Sequence, residues 1–445
     1  MKSSELAAVW RLGWPLAVAN FGQVLVGAVD LAVVGRLGAT ELGAAGLGHT
    51  VYFCASILGM GVMLGFDPLL SQAYGADEHG VVRQLLKRAL WLAAGISVPL
   101  MGAVVVAGWA LEQLGVDPVT AEATRDYLGP RLLGVVPFLL FVGLRSALQA
   151  CGQARPMLVG VVAANLVNLP LSIVLVFGGQ VIAPALAVVP PMGVAGAAWA
   201  STASLGVQLA VLVLAWRRFE LPIEATERRR GLTVRAVRIG VPVALTLLGE
   251  FGAFVVVNVL IGRIGPVPLA AHQVAMTLAS ATYVVPLGIG AAASVRVGHA
   301  IGRQEPAGAR AAARASLLLG VGFMAITALT FYLAPGTLSL LITDDAAVIA
   351  TASTLVAIAA VFQLSDGVQA VLSGALRGAG DTRWPLAANL VGHYALGLPL
   401  GAVLAFELGL GSAGLWWGLS AGLTAVAAVL AGRWRVLSAG AMSRT

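Results

Sequence analysis

The sequence is short of charge. Only 11% of its 445 residues are Asp, Glu, Lys or Arg, against 59% hydrophobic, where a soluble chain carries about 25% charged residues. This excludes a water-soluble enzyme built on one core. It also excludes disorder, which needs low hydrophobicity and high charge. Cysteine is scarce too: Cys54 and Cys151 lie in or at the end of apolar runs, so no disulfide framework is expected. The motifs that would hold nucleotide phosphate, zinc or a serine nucleophile are missing. No enzymatic activity and no cofactor are therefore expected, and an ion gradient is left as the source of energy. No cleavable leader is evident, because Lys2 and Glu5 run directly into a long apolar segment, so the first helix is expected to be retained.

What is present is apolar sequence in long runs. A bilayer crossing takes about 20 apolar residues. The hydropathy of the chain yields candidate spans at about 12–35, 47–71, 89–111, 127–150, 156–178, 194–216, 239–262, 269–295, 315–335, 346–372, 385–406 and 412–432. Fifty-five glycines suit close helix packing in a membrane. The fold class expected is thus an all-α polytopic membrane protein of twelve helices with short loops.

Basic residues set the expected orientation. Placing the N-terminus in the cytoplasm puts all of the 27 Lys and Arg on the cytoplasmic side except Arg36, Arg125, Arg131 and Arg263. Such a bias predicts both termini inside and insertion in the plasma (inner) membrane. Charges dispersed over membrane flanks argue against nucleic-acid binding. The basic stretch 217–238 reads as a cytoplasmic linker between a first lobe, 1–216, and a second, 239–445.

The halves repeat each other. Gly13-Trp14-Pro15 returns as Gly240-Val241-Pro242, and Gly35-Arg36-Leu37-Gly38 as Gly262-Arg263-Ile264-Gly265. Gly193, Gly196 and Trp199 return as Gly411, Gly414 and Trp417. Six spans per half give parallel repeats, the arrangement of two-lobed rocking transporters. A duplicated channel or structural membrane protein is the competing reading.

Of twenty carboxylates, only Asp30, Asp67, Glu250 and Asp366 fall within spans. An acidic residue at the centre of a membrane helix costs roughly 2.5–3.5 kcal/mol on insertion scales, so it persists where it faces a cavity and has work to do. Glu250, Asp366 and Asp30 have the repeat mates Gln23, Phe138 and Val257, so each charge exists in one lobe only. Asp67, followed by Pro68 near a span end, is assigned a structural role. Removal from water disfavours a charged carboxylate and a nearby cation favours it; a buried acid is therefore a place where a proton and another cation compete, which is the basis of antiport. Asn165 and Asn168, on one face of their span, could support Asp30, and Gln23, His393 and Tyr394 could add polar lining. Phe21, Tyr52, Phe254, Tyr283 and Phe362 could stack on an organic cation.

Several short motifs carry a family resemblance over essentially the whole chain: Gly13-Trp14-Pro15, Gly35-Arg36-Leu37-Gly38, Ser71-Gln72-Ala73-Tyr74-Gly75-Ala76, Ala271-His272-Gln273, Pro286-Leu287-Gly288, Arg296-Val297-Gly298 and Gly374-Ala375-Leu376-Arg377-Gly378-Ala379-Gly380-Asp381. In their order and spacing the chain resembles the multidrug and toxic compound extrusion (MATE) family, in its NorM-like branch. The resemblance implies two six-helix lobes, alternating access, and export of organic cations across the lipid bilayer against inward Na+ or H+. The length of the chain suggests a functional monomer. It assigns cation binding, including any Na+, to Glu250 and Asp366, and protonation or ion binding to Asp30. Where some relatives carry a tyrosine one turn before the tenth-helix Asp, this chain has Phe362, which offers a ring face but no hydroxyl. The alternative implied by related folds is a flippase for an amphipathic lipid-linked substrate.

Overall fold

A computed structural model of the chain describes residues 3–181, 188–222, 229–440 and 442–445. With no water to satisfy its amides and carbonyls, a backbone in hydrocarbon must hydrogen-bond within its own segment, and the apolar runs are accordingly helical. They form α1 (Ser3–Val34), α2 (Ala39–Met63), α3 (Phe66–Gly75), α4 (His79–Ala110), α5 (Pro118–Ala150), α6 (Arg155–Phe177), α7 (Val194–Arg218), α8 (Leu232–Ile264), α9 (Pro266–Gly302), α10 (Pro306–Leu333), α11 (Pro335–Leu340), α12 (Ala346–Gly378), α13 (Arg383–Asn389), α14 (Leu398–Ala402) and α15 (Gly411–Ala439). Among the described residues, twelve helical stretches are long and apolar enough to cross a membrane, and they coincide with the expected spans. Side-chain caps open α5 and α12. Asp117 accepts from Thr120 N at 3.0 Å to start α5, and Asp345 accepts from Ala347 N and Val348 N at 2.9 and 3.0 Å to start α12. Residues 223–228 of the expected linker lie outside the described residues.

Two spans are less regular than their hydropathy indicates. The second breaks at Leu64-Gly65 between α2 and α3, and the eleventh passes through π-helical segments at Leu390–Gly397 and Val403–Glu407. The first of these carries His393 and Tyr394.

The internal repeat is visible in the backbone. Gly38 before α2 and Gly265 before α9 adopt φ of 147° and 152°, conformations that need glycine. The positive-φ residues other than glycine among those described are Asp77 and Gln304, both at φ 58°, and they are repeat mates. Pro15 lies inside α1 and Pro242 inside α8.

The chain forms two compact units. One comprises Ala19–Phe66 and His79–Gly240; the other comprises Met1–Val18, Asp67–Glu78 and Val241–Thr445. The second unit thus holds α3 and the first turns of α1 along with the later spans. Here Gly75 and Gly302 pack so closely that a Cβ on Gly75 would lie 2.6 Å from His299 Cα. Arg296 ties Glu5 with two bonds of 2.9 and 2.8 Å, and Arg377 meets Asp67 at 3.5 Å. In the same unit α9 and α12 meet through small residues: a Cβ on Gly374 would lie 2.9 Å from Gly290 Cα, and one on Gly378 2.9 Å from Ser294 Cα. This small-residue contact, rather than hydrophobicity, is what holds helices together in lipid. Its core gathers Ile261, Leu355, Phe362, Trp416 and Leu423, while that of the first unit gathers Val34, Ala45, Tyr127, Val176 and Ala197.

Candidate functional site

In the first unit, Asp30 is 6% exposed and its oxygens are fully engaged. Oδ1 accepts from Asn168 Nδ2 at 3.1 Å and Ser172 Oγ at 3.2 Å, and Oδ2 accepts from the Ser201 hydroxyl. Asn168 and Ser172 are four apart and share one face of α6, as helical geometry requires, and Ser201 comes from α7. The carboxylate therefore binds α1 to two neighbouring helices through neutral donors. Asn165 does not join them: its amide donates to Gly22 O at 3.0 Å and to Val161 O at 2.9 Å. Gln23, the mate of Glu250, donates to Gln208 Oε1. Phe21 is half exposed.

The second charge of this cluster is Arg131. Counting it as a marker of the outer surface is incorrect, because it lies inside α5 and is 7% exposed. Its guanidinium sits 4.0 Å from the Tyr52 ring centroid and 6.0 Å from that of Tyr127. Tyr52, expected as a substrate-facing ring, is buried under it.

In the second unit, Glu250 on α8 and Tyr283 on α9 line an open pocket together with Gln369, Ser373, Arg377 and Thr382. Gln369 Nε2 donates to Glu250 Oε1 at 3.3 Å. Asp366, one turn before Gln369 on α12, is 6% exposed and close enough to Glu250 to interact electrostatically. Tyr283 feels both carboxylates. Sequence-distant acids are thus gathered at one place, with a pocket beside them.

The other expected side chains are packed around it. Phe362 is buried, with ring centroids 6.2 Å from Phe254 and 5.9 Å from Trp416. His393 is buried against Phe254, and neither of its ring nitrogens has a hydrogen-bond partner among the described residues. Tyr394 donates to Gly249 O at 2.8 Å, beside Glu250. No group of three His, Cys, Asp or Glu among the described residues could hold a metal ion.

The MatE family model matches twice, over residues 15–174 and 242–403, and the two matches begin at the paired prolines Pro15 and Pro242. The chain belongs to the MatE family. This MatE chain is 37% identical over 98% of its length to a probable multidrug resistance protein NorM of Bradyrhizobium diazoefficiens, covering 94% of that protein. A protein of the same description from Deinococcus radiodurans is 40% identical, with 97% of this chain and 95% of the relative covered. Among solved structures, an outward-facing multidrug resistance MATE family transporter of the MOP superfamily superimposes with a TM-score of 0.86 at 20% identity, covering 97% of this chain and 96% of that one. The MatE fold and the twelve spans make the protein an integral membrane protein.

Sequence reasoning missed Arg131, Ser172, Ser201 and Gln369. Arg131 could have been found, because Tyr127 and Arg131 are four apart inside a span, which places a cation and an aromatic ring on one buried face. The serines carry no such signal, since a helical hydroxyl usually bonds its own backbone one turn back.

Proposed function

We propose that the protein exports organic cations in exchange for inward Na+ or H+, with Glu250 and Asp366 as its cation-binding pair. The observation that carries this reading is the pocket of the second unit. Glu250 lines it at membrane depth, Asp366 is buried on α12 one turn before the lining residue Gln369, and the hydrogen bond that Glu250 accepts comes from that neutral amide. Each acid lowers the cost of a cation at the other, so either an inorganic ion, a proton or a cationic substrate is held, and loading one displaces another. Multidrug efflux is supported by the descriptions of the NorM relatives, and alternating access of two six-span lobes by the repeat. The basic loops support cytoplasmic termini in the plasma membrane, and each lobe carrying its own buried carboxylate cluster supports a functional monomer.

Cells loaded with a fluorescent organic cation test the proposal. Glu250→Gln and Asp366→Asn each abolish gradient-driven efflux at unchanged membrane levels. Efflux that persists in both variants removes the assignment.

A further inference from the structure

The stretch between the two repeats is far more basic than the spans it joins. Residues 217–238 hold seven arginines against three glutamates, and the opening turns of α4 add Arg83, Lys87 and Arg88 with no acid among residues 79–90. The fold of the first unit brings these two segments together. Arg83 Nη2 donates to Leu221 O, Arg88 Nη2 donates to Arg229 O at 2.7 Å, and Gln84 Oε1 accepts from Arg229 N at 3.2 Å. Gln84 and Arg88, one turn apart, share a face of α4, so the described backbone on either side of residues 223–228 is seated on that helix. The bond between Arg88 and Arg229 also brings their sequence neighbours Lys87 and Arg230 to the same place. Lys87, Arg217, Arg218, Arg229, Arg230 and Arg235 are all exposed. Like charges gathered in this way repel one another, and an anion bound among them offsets the repulsion.

Apolar side chains flank these cations at helical spacing. Trp91 is 72% exposed and lies one turn beyond Lys87 on α4; Leu214 is 53% exposed and lies one turn before Arg218 on α7. Both helices are long and apolar enough to cross a membrane. A cation above an exposed apolar side chain on one face of a span matches a molecule that is anionic at one end and hydrocarbon beyond it, and tryptophan is enriched at that boundary. A free phosphate ion would make no use of the apolar part.

We propose that this face of the first unit binds the headgroup of an anionic phospholipid, with Lys87 and Arg230 holding its phosphate and Trp91 meeting its acyl chains. Guanidinium and ammonium groups form charge-assisted hydrogen bonds to phosphate oxygens, and each basic residue near an anionic membrane surface strengthens attachment. The linker then does more than join the lobes: it fastens the first unit to the membrane surface. The inference is independent of the carboxylates of the second unit.

Mass spectrometry of the purified full chain in detergent, titrated with phosphatidylglycerol, phosphatidylcholine or inorganic phosphate, reads the affinity of the first molecule bound. Phosphatidylglycerol binds tighter than phosphatidylcholine by about 10-fold or more, and inorganic phosphate at the same concentration does not displace it. Each basic residue removed weakens binding about 5-fold, so Lys87→Gln/Arg230→Gln loses about 25-fold. Lys87→Arg/Arg230→Lys, which keeps both charges, binds as wild type. Arg314→Gln/Arg435→Gln, which removes two exposed charges from the other unit, also binds as wild type. Equal affinity for the two lipids overturns the proposal, as does unchanged affinity in Lys87→Gln/Arg230→Gln. Equal loss in the two charge-removing variants overturns it in favour of bulk charge, and displacement by inorganic phosphate overturns it in favour of a free-anion site.

Discussion

Gly13 and Gly240 occupy the same place in the repeat, and an alanine should act in opposite directions at the two. A Cβ on Gly240 would lie 2.8 Å from both the carbonyl carbon and the Cα of Val62, and closer still to the Val62 oxygen. These are backbone atoms of α2, which no rotamer change can move. Carbon atoms settle at about 3.5–4.0 Å, so α8 and α2 must separate by close to an ångström. Overpacking of this kind costs about 1–3 kcal/mol, and the absence of any soft neighbour places Gly240→Ala at the upper end. At Gly13 the nearest atoms to a Cβ are Ile289 Cγ1 at 3.4 Å and Ile289 Cα at 3.5 Å, an ordinary contact. There the change from glycine to alanine within α1 keeps its gain of about 1 kcal/mol in helix propensity. Thermal unfolding of the purified variants in detergent should show Gly240→Ala melting below wild type and Gly13→Ala at or above it. Equal loss in both would refute the inference from contact distances to stability.

Other expectations follow from the same geometry. Asp30→Ala leaves the buried donors of Asn168, Ser172 and Ser201 without their acceptor and should cost about 1–3 kcal/mol; unchanged thermal unfolding would contradict those contacts. A Cβ on Gly48 would lie 2.6 Å from Tyr127 Cδ1, so Gly48→Val drives Tyr127 off its seat beside Arg131 and should lower stability by about 1–3 kcal/mol, whereas unchanged melting would mean the ring is not held there. Gln369→Ala removes the donor to Glu250, a bond of net worth about 0.5–1.5 kcal/mol. It should shift apparent cation affinity without affecting insertion, and unchanged dependence of efflux on cation concentration would set that contact aside.

The fold was open to sequence reasoning because lipid allows little else: a long apolar segment must be a helix, and twelve such segments are unmistakable. The break at Gly65 was not visible, since it depends on α8 crossing there. A Cβ on Gly65 would lie 2.8 Å from Gly240 Cα, a constraint that neither segment carries alone. In the site, burial cost singled out Asp30, Glu250 and Asp366. Helical spacing brought Asn168 to Asp30 but suggested the same for Asn165, whose amide is drawn instead to Gly22 O. Arg131 escaped notice because a positive charge near a span end is usually a topological marker. Only its seat against the rings of Tyr52 and Tyr127 shows that it was brought inside.

Export driven by a cation gradient through Glu250 and Asp366 is open to direct measurement. Proteoliposomes loaded with an organic cation and given an inward Na+ gradient, an inward proton gradient or neither test it most directly. Wild type should show gradient-driven release under at least one of the two gradients, and Glu250→Gln and Asp366→Asn none. Release that ignores both gradients, or that survives in both variants, contradicts it.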